Sequence, residues 1–288
     1  MVKVNKNMMK KYLLLFCALS IFLTGCGSKF AYNNIDWLMY WYIDDYVELD
    51  KTQKKLLDGH VAQWMTWHRQ DELTEYKTQL EQIKLQVSQD NVSAQQWEQH
   101  FNNAKQHWVR FRDHISPELA RLAPSLTDEQ VNALFAELDK ENLKRIEDRL
   151  DDNFEKRLKK NIKNTQENAR EFIGKLSLEQ KNIIESFADD FQSSFDLWIA
   201  YRQRIQSAAH EMLLNERKEA HFKAKFLALL SHPETYQDDK LAQISTHNNQ
   251  VYASMLAALT TSLSPKQKRK AMDELQDIID DISDLQED

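Results

Sequence analysis

The sequence predicts an almost all-α protein, an elongated multi-helix bundle in two helical lobes. Three observations lead there. The 288 residues include only 4 glycines and 4 prolines, too few turn residues for a sandwich, a barrel or a βαβ fold. Glu, Lys, Gln, Leu and Ala, all strong helix formers, abound. Apolar residues recur at steps of three and four, which place them on one helix face. The scarcity of glycine also removes glycine-rich phosphate loops and nucleophile elbows. With 45 acidic against 38 basic residues and a formal charge of −7, the chain is a poor partner for nucleic acid.

Residues 1–25 have the three parts of an export signal. Lys3, Lys6, Lys10 and Lys11 make a basic start, Tyr12 to Leu23 an apolar run, and Thr24-Gly25 a small-residue end. A helix over that run reaches about 18 Å, short of the ~30 Å bilayer core. Leu23-Thr24-Gly25-Cys26 resembles the lipobox of bacterial lipoproteins. The resemblance implies diacylation of the Cys26 sulfur, cleavage before Cys26 and acylation of its amine. Two or more acyl chains hold a membrane stably. Gly27, where Asp would signal inner-membrane retention, resembles outer-membrane sorting, so the expected location is the periplasmic face of the outer membrane. Cys17 leaves with the signal, and the mature chain then has no disulfide.

The first lobe is expected over 26–124. Its opening helix is dense in aromatics, with Tyr32, Trp37, Tyr40, Trp41, Tyr42 and Tyr46, and Trp37 and Trp41 share one face. These rings suit a core helix or the lipid headgroups. The core is favoured, because Asp44, Asp45, Glu48 and Asp50 follow and an anionic leaflet would repel them. Leu56, Leu57, His60, Val61, Trp64, Trp67 and His68 mark a second helix. Leu73, Tyr76, Leu80, Ile83 and Val87 mark a third, and Trp97, Phe101, Ala104, Trp108 and Phe111 a fourth. Ile115-Ser116-Pro117 and Ala123-Pro124-Ser125 bracket an expected break.

The second lobe is expected over 125–288. A long helical stretch begins with Val131, Leu134, Phe135 and Leu138. It becomes highly charged, with Ile146, Leu150, Phe154, Leu158 and Ile162 every four residues. A step of four turns 400°, so this line drifts around the helix as a thin seam, and the helix is exposed over much of its girth or bends. The next helix is predicted to run from Leu176 to Met212 through Phe187, Phe191, Phe195, Trp198, Ile205 and Ala209. A shorter one carries Phe222, Phe226 and Leu229. Another carries Leu241, Ile244, Val251, Met255 and Leu259 with Asn248, and the last opens at Leu263-Ser264-Pro265.

Five helices open with one phrase: apolar, Ser/Thr/Asp, two residues, Gln. The phrases start at Leu49, Val92, Leu126, Leu176 and Leu263. Each cap oxygen can accept from the N–H three residues on, while Gln53, Gln96, Gln130, Gln180 and Gln267 reach back, forming capping boxes. The phrases at Leu126, Leu176 and Leu263 also resemble the Leu-Thr/Ser-x-x-Gln hallmark of Spy-type periplasmic helical chaperones. A broader resemblance runs through Tyr32-Asn33-Asn34-Ile35-Asp36-Trp37-Leu38, Trp41, Asp44-Asp45-Tyr46, Leu49-Asp50-x-x-Gln53, Trp67-His68-Arg69, Gly174-Lys175-Leu176-Ser177-x-x-Gln180 and Tyr201-Arg202. It is to a proteobacterial lipoprotein family of unknown function, and it implies location and an all-α build.

Chemistry-bearing candidates are few. His100, His107 and His114 recur every seven residues. That spacing is about 10.5 Å along a helix, too far for two rings to share an ion bound near 2 Å. No metal and no cofactor is expected, and the row suits packing that responds to pH. The candidate binding patch comprises Trp37, Trp41, Asp44, Asp45, Trp67, His68 and Arg69. Asp44-Asp45 beside Trp41 has the groups of a sugar cleft with an acid and a base. His68 and Arg69 suit a carboxylate or phosphate, or a tie to Asp44 or Asp45. The expected function is a lipid-anchored, periplasm-facing protein that binds an envelope protein without catalysis. The alternative is an envelope enzyme acting on glycan or lipid through Asp44, Asp45 and His68.

Overall fold

A computed structural model describes residues 25–89, 92–151 and 153–287, with the backbone alone for 25–28. The signal segment before Gly25 and the Cys26 side chain lie outside the described residues. Every regular element among the described residues is helical. In order these are α1 (Gly25–Asn33), α2 (Ile35–Ile43), α3 (Lys51–Trp67), a π-helical turn (His68–Glu72), α4 (Leu73–Ser88) and α5 (Ala94–Leu122). Then come a 3₁₀ turn (Ala123–Ser125), α6 (Asp128–Leu150), α7 (Phe154–Ile173), α8 (Leu178–Ala188), α9 (Phe195–Glu211), a second π-helical turn (Met212–Glu216), α10 (Phe222–Ser231), a 3₁₀ turn (Pro233–Tyr236), α11 (Asp239–Thr261) and α12 (Pro265–Glu287). The fold is an all-α multi-helix bundle.

Local chemistry sets the helix starts. Asp50, Ser93, Thr127 and Ser177 each close a capping box with the glutamine three residues on. At α12, Ser264 accepts from Gln267 N at 3.3 Å, and the Gln267 side chain accepts from Ser264 N at 3.0 Å. Gly174 ends α7 at φ +78°, a conformation that side-chain-bearing residues rarely adopt.

Helix α5, 29 residues long and so about 43 Å, is the spine. It packs on α3 and α4, and on α10 and α11. The C-terminal α12 crosses the 124/125 boundary to lie along α4, and also touches α1 and α7. Three apolar clusters result. The first joins Ala120, Val131, Phe135, Leu213 and Phe222. The second joins Tyr32, Leu73, Ile278, Ile282 and Leu285. The third joins Leu176, Ile184, Met255 and Leu259, with Ile162, Ala169 and Ile173 of α7 packed against it.

Four expectations change. Pro117 lies inside α5 rather than at a break. A mid-helix proline costs about 3 kcal/mol in isolation, and packing along α5 offsets it. Buried Ser116 also donates its hydroxyl to Arg112 O at 2.7 Å, supporting the loosened turn. The long charged stretch is two helices, because Asn153 turns out and caps α7 by accepting from Lys156 N at 2.8 Å. The expected helix from Leu176 to Met212 is likewise divided into α8 and α9. No Pro or Gly marks this gap, but a tertiary clasp holds it: Asn248 of α11 accepts from Gln192 N and donates to Gln192 O, both at 2.9 Å. Of the aromatic stretch, Tyr32 and Tyr46 are buried, but α2 between them buries none of its residues. It is held through Tyr40, whose hydroxyl donates to Lys54 O at 2.9 Å and lies 2.5 Å from Asp58 Oδ1, while Trp37 is 61% exposed.

Candidate functional site

Helices α4 and α5 face each other with polar residues at matched heptad spacing. Glu72, Gln79 and Gln86 come from one side, His107 and His100 from the other. Glu72 ends the π-helical turn and is 1% exposed; such turns often mark functional positions. Arg110 grips it with both prongs, Nε to Oε2 at 2.9 Å and Nη2 to Oε1 at 2.8 Å, the strong bidentate geometry. His107 Nδ1 lies 2.6 Å from both Glu72 Oε1 and Arg110 Nη2, and its Nε2 lies 2.6 Å from Gln79 Oε1. Gln79 donates its amide N–H to His100 O at 2.9 Å, which leaves its oxygen to accept from His107. Nε2 of His107 therefore carries a proton, and its Nδ1 stands between the Glu72 carboxylate and Arg110. Burial lowers its pKa, against the opposing pull of Glu72. One step along, His100 Nε2 pairs with Gln86 Oε1 at 2.9 Å.

Beside the ladder sits His68. The Tyr32 hydroxyl pairs with its Nδ1 at 2.9 Å, and the rings of Tyr76 and Phe111 meet it edge to face. Burial pushes its pKa down to about 4, with His107 adding to the shift and Glu72 opposing it. Trp67 stacks on His114, ring centroids 3.9 Å apart. Arg69 donates to Asn33 Oδ1 at 2.9 Å and lies over the Tyr32 ring.

The structure thus gathers Trp67, His68 and Arg69 of the candidate patch where α1, α3, α4 and α5 meet. Asp44 pairs instead with Lys54 at 3.2 Å on the surface, Asp45 is exposed, Trp37 points to solvent and Trp41 is half-buried. A surface hollow of about 470 Å³ opens over the ladder, lined by Trp67, Gln70, Asp71, Glu72, Thr74, Glu75 and Arg110. Asp44, Asp45 and His68 are not part of its wall. Glu72, Gln79, Gln86 and Arg110 escaped the sequence reading. The signal was present: the acid-and-amide row shares the seven-residue step of the histidine row, as antiparallel helices require.

Two further arrangements are positioned by the caps. Gln53 donates to Gln130 Oε1 at 2.9 Å and to Ser125 O at 2.8 Å, and Gln130 donates to Glu48 O at 2.7 Å. Gln180 donates to Gln267 Oε1 at 3.1 Å and to Ser262 O at 3.2 Å, and Gln267 donates to Lys175 O at 3.0 Å. In each clasp a glutamine reaches the carbonyl two residues before its partner's cap, so two helix starts are locked face to face. The fifth box, at Ser93, closes on itself. The third arrangement is apolar. At the elbow between α6 and α7, Leu143, Leu150 and Phe154 are 61%, 79% and 66% exposed.

Fold and site together define an all-α bundle whose buried polar groups clasp helices to one another. The chain belongs to the family of unknown function DUF6279, whose model matches residues 45–241. The match takes in the ladder, the first clasp and the elbow. Cys26, Phe30, Trp37, Trp41 and Asp44 precede it, and α12 follows it. Comparison with curated proteins and with solved structures finds no match.

Proposed function

We propose that the chain is a lipid-anchored protein of the bacterial envelope, facing the periplasm, that binds another protein without catalysis. One observation carries the binding reading: the elbow presents Leu143, Leu150 and Phe154 to solvent. Exposed large apolar side chains gathered at one place mark interaction sites. Farther along α7, Ile162, Ala169 and Ile173 are covered by α8 and α11, whereas Phe154 at its start is left uncovered. Engagement of Asp44 by Lys54 and of His68 by Tyr32 supports this reading over an enzyme acting on glycan or lipid.

The anchor is Cys26, carried by acyl chains to the periplasmic face of the outer membrane. No helix among the described residues is long and apolar enough to cross a membrane, and an acylated Cys26 would hold the bundle without one. Crosslinking in intact envelopes, followed by pull-down of wild type and a Leu143→Glu, Leu150→Glu, Phe154→Glu variant, tests the elbow. A partner captured by wild type and lost from the variant is the expected result, and identical partner sets would sink the reading. Cys26→Ala should leave the protein unprocessed or release it from the membrane. A processed, membrane-bound Cys26→Ala protein overturns the anchor.

A further inference from the structure

Helix α2 is the most apolar of the described helices, yet none of its residues is buried. Helix α10, of similar length, buries Phe222, Phe226 and Leu229. Apolar sequence in a short helix normally reports a buried face; α2 half-buries most of its residues instead, and exposes Asp36 and Trp37. Its most exposed ring is Trp37, and Phe30 of α1 is 64% exposed. The helices are not loose ends. Lys29 of α1 forms ion pairs with Asp281 and Asp284 of α12, and Tyr40 fastens α2 to α3. The aromatic face is therefore a fixed part of the surface.

The geometry points to a lipid surface as its occupant: we infer that Phe30 and Trp37 rest in the headgroup layer of the bilayer. The inference rests on the anchoring reading for where the bilayer lies. Phe30 follows Cys26 by one helical turn, and α1 in full is only about 13 Å long. An acylated Cys26 therefore holds this face within about half a bilayer core's thickness of the lipid. The chemistry fits. Indole and phenyl rings set on a helix beside polar groups are the side chains that settle at membrane interfaces, where an amphipathic ring keeps its polar edge wet. Asp36 and Asp45 lie close by in the chain, so a zwitterionic surface suits the face better than an anionic one. The second uncovered patch, at the elbow, belongs to α6 and α7 and has no such link to Cys26. The elbow therefore serves as the control surface.

The test uses the processed chain starting at residue 26 with Cys26→Ser, which contains every described residue but Gly25 and carries no acyl chain. It is mixed with phosphatidylcholine vesicles containing brominated acyl chains. Vesicle flotation and quenching of tryptophan emission are expected, and Phe30→Ser with Trp37→Ser should weaken partitioning by about tenfold or more. The elbow variant Leu150→Ser with Phe154→Ser should float like the parent. Equal flotation of parent and Phe30/Trp37 variant, no flotation of either, or a loss seen only in the elbow variant would each overturn the inference. These outcomes are independent of acylation, so a failed Cys26→Ala fractionation would remove the anchor while leaving the vesicle result to stand or fall alone.

Discussion

The ladder between α4 and α5 and the elbow between α6 and α7 reverse each other's polarity. In the ladder, Glu72, His107, Gln79 and His100 occupy an interior that apolar residues could fill. At the elbow, Leu143, Leu150 and Phe154 face water that charged residues could meet. Burying a carboxylate is unfavourable unless it is paired and hydrogen-bonded, and Arg110 and the ladder supply both. The reward is register. Heptad-spaced donors and acceptors mate in one alignment of α4 on α5, whereas leucines would tolerate a slide. Exposing leucine and phenylalanine stabilises nothing in the free protein. The difference teaches that the interior polarity serves the fold, while the exterior apolarity needs something outside the fold to explain it.

The sharpest way to break this contrast is at Glu72. Glu72→Ala removes the carboxylate that Arg110 grips, and because Arg110 keeps 39% of its side chain in water the loss should be about 1–3 kcal/mol. Urea unfolding should show a loss of unfolding free energy of that size, with Glu72→Gln intermediate. A loss under about 1 kcal/mol would mean that the ladder is incidental to the fold.

Acid should weaken the same region. His68 titrates near pH 4 in the fold against 6.5 when unfolded, so the unfolded chain takes up its proton first as pH falls. The stabilising contribution is fully present above about pH 6.5 and is lost progressively down to about pH 4, amounting to about 3 kcal/mol. The groups around His68 are Tyr32, Tyr76, Phe111, Glu72 and His107, and Glu72 alone opposes the shift by charge. Unfolding free energy measured across that window should fall steeply in wild type and less steeply in His68→Phe. Equal slopes would assign the acid sensitivity elsewhere.

Legibility followed the range of the forces. Helix starts at Asp50, Ser93, Thr127, Ser177 and Ser264 can be read because a cap needs only three residues of context. The all-α class is legible from composition. The gap between α8 and α9 is not, since Asn248, far along the chain, satisfies its backbone. Pro117 misleads for the same reason: a local rule meets packing along the whole of α5. The ladder was half legible. The histidine row stood out, but its partner row required knowing that α4 and α5 lie antiparallel. The uncovered faces were the least legible. An apolar seam looks the same in sequence whether another helix covers it or not, and the rings of α2 fit a core as well as a surface.

The clasps allow a smaller, internally controlled comparison. Gln180 is fully buried and joins two helix starts, whereas Gln96 serves only its own box. Gln180→Ala keeps the Ser177 cap but removes the return bond from Ser177 N–H and the bonds to Ser262 O and Gln267 Oε1, so a loss of about 2 kcal/mol is expected. Gln96→Ala should cost about 0.5–1 kcal/mol. Equal effects in thermal unfolding would reduce the clasp to two independent caps.

The smallest effect falls at the elbow, and its smallness is the point. Leu150 is 79% exposed, so Leu150→Ser sacrifices almost no packing. What remains is a difference in helix propensity of a few tenths of a kcal/mol, and the unfolding free energy should stay within about 0.5 kcal/mol of wild type. The measurement belongs at two protein concentrations about a hundredfold apart. If Leu150→Ser is neutral at both, the leucine is idle in the free protein and its apolar face awaits a different molecule. If the substitution destabilises only at the higher concentration, mass action is at work. A second copy of the chain then covers the elbow, and the contrast with the ladder becomes one between two interiors, one within the chain and one between chains.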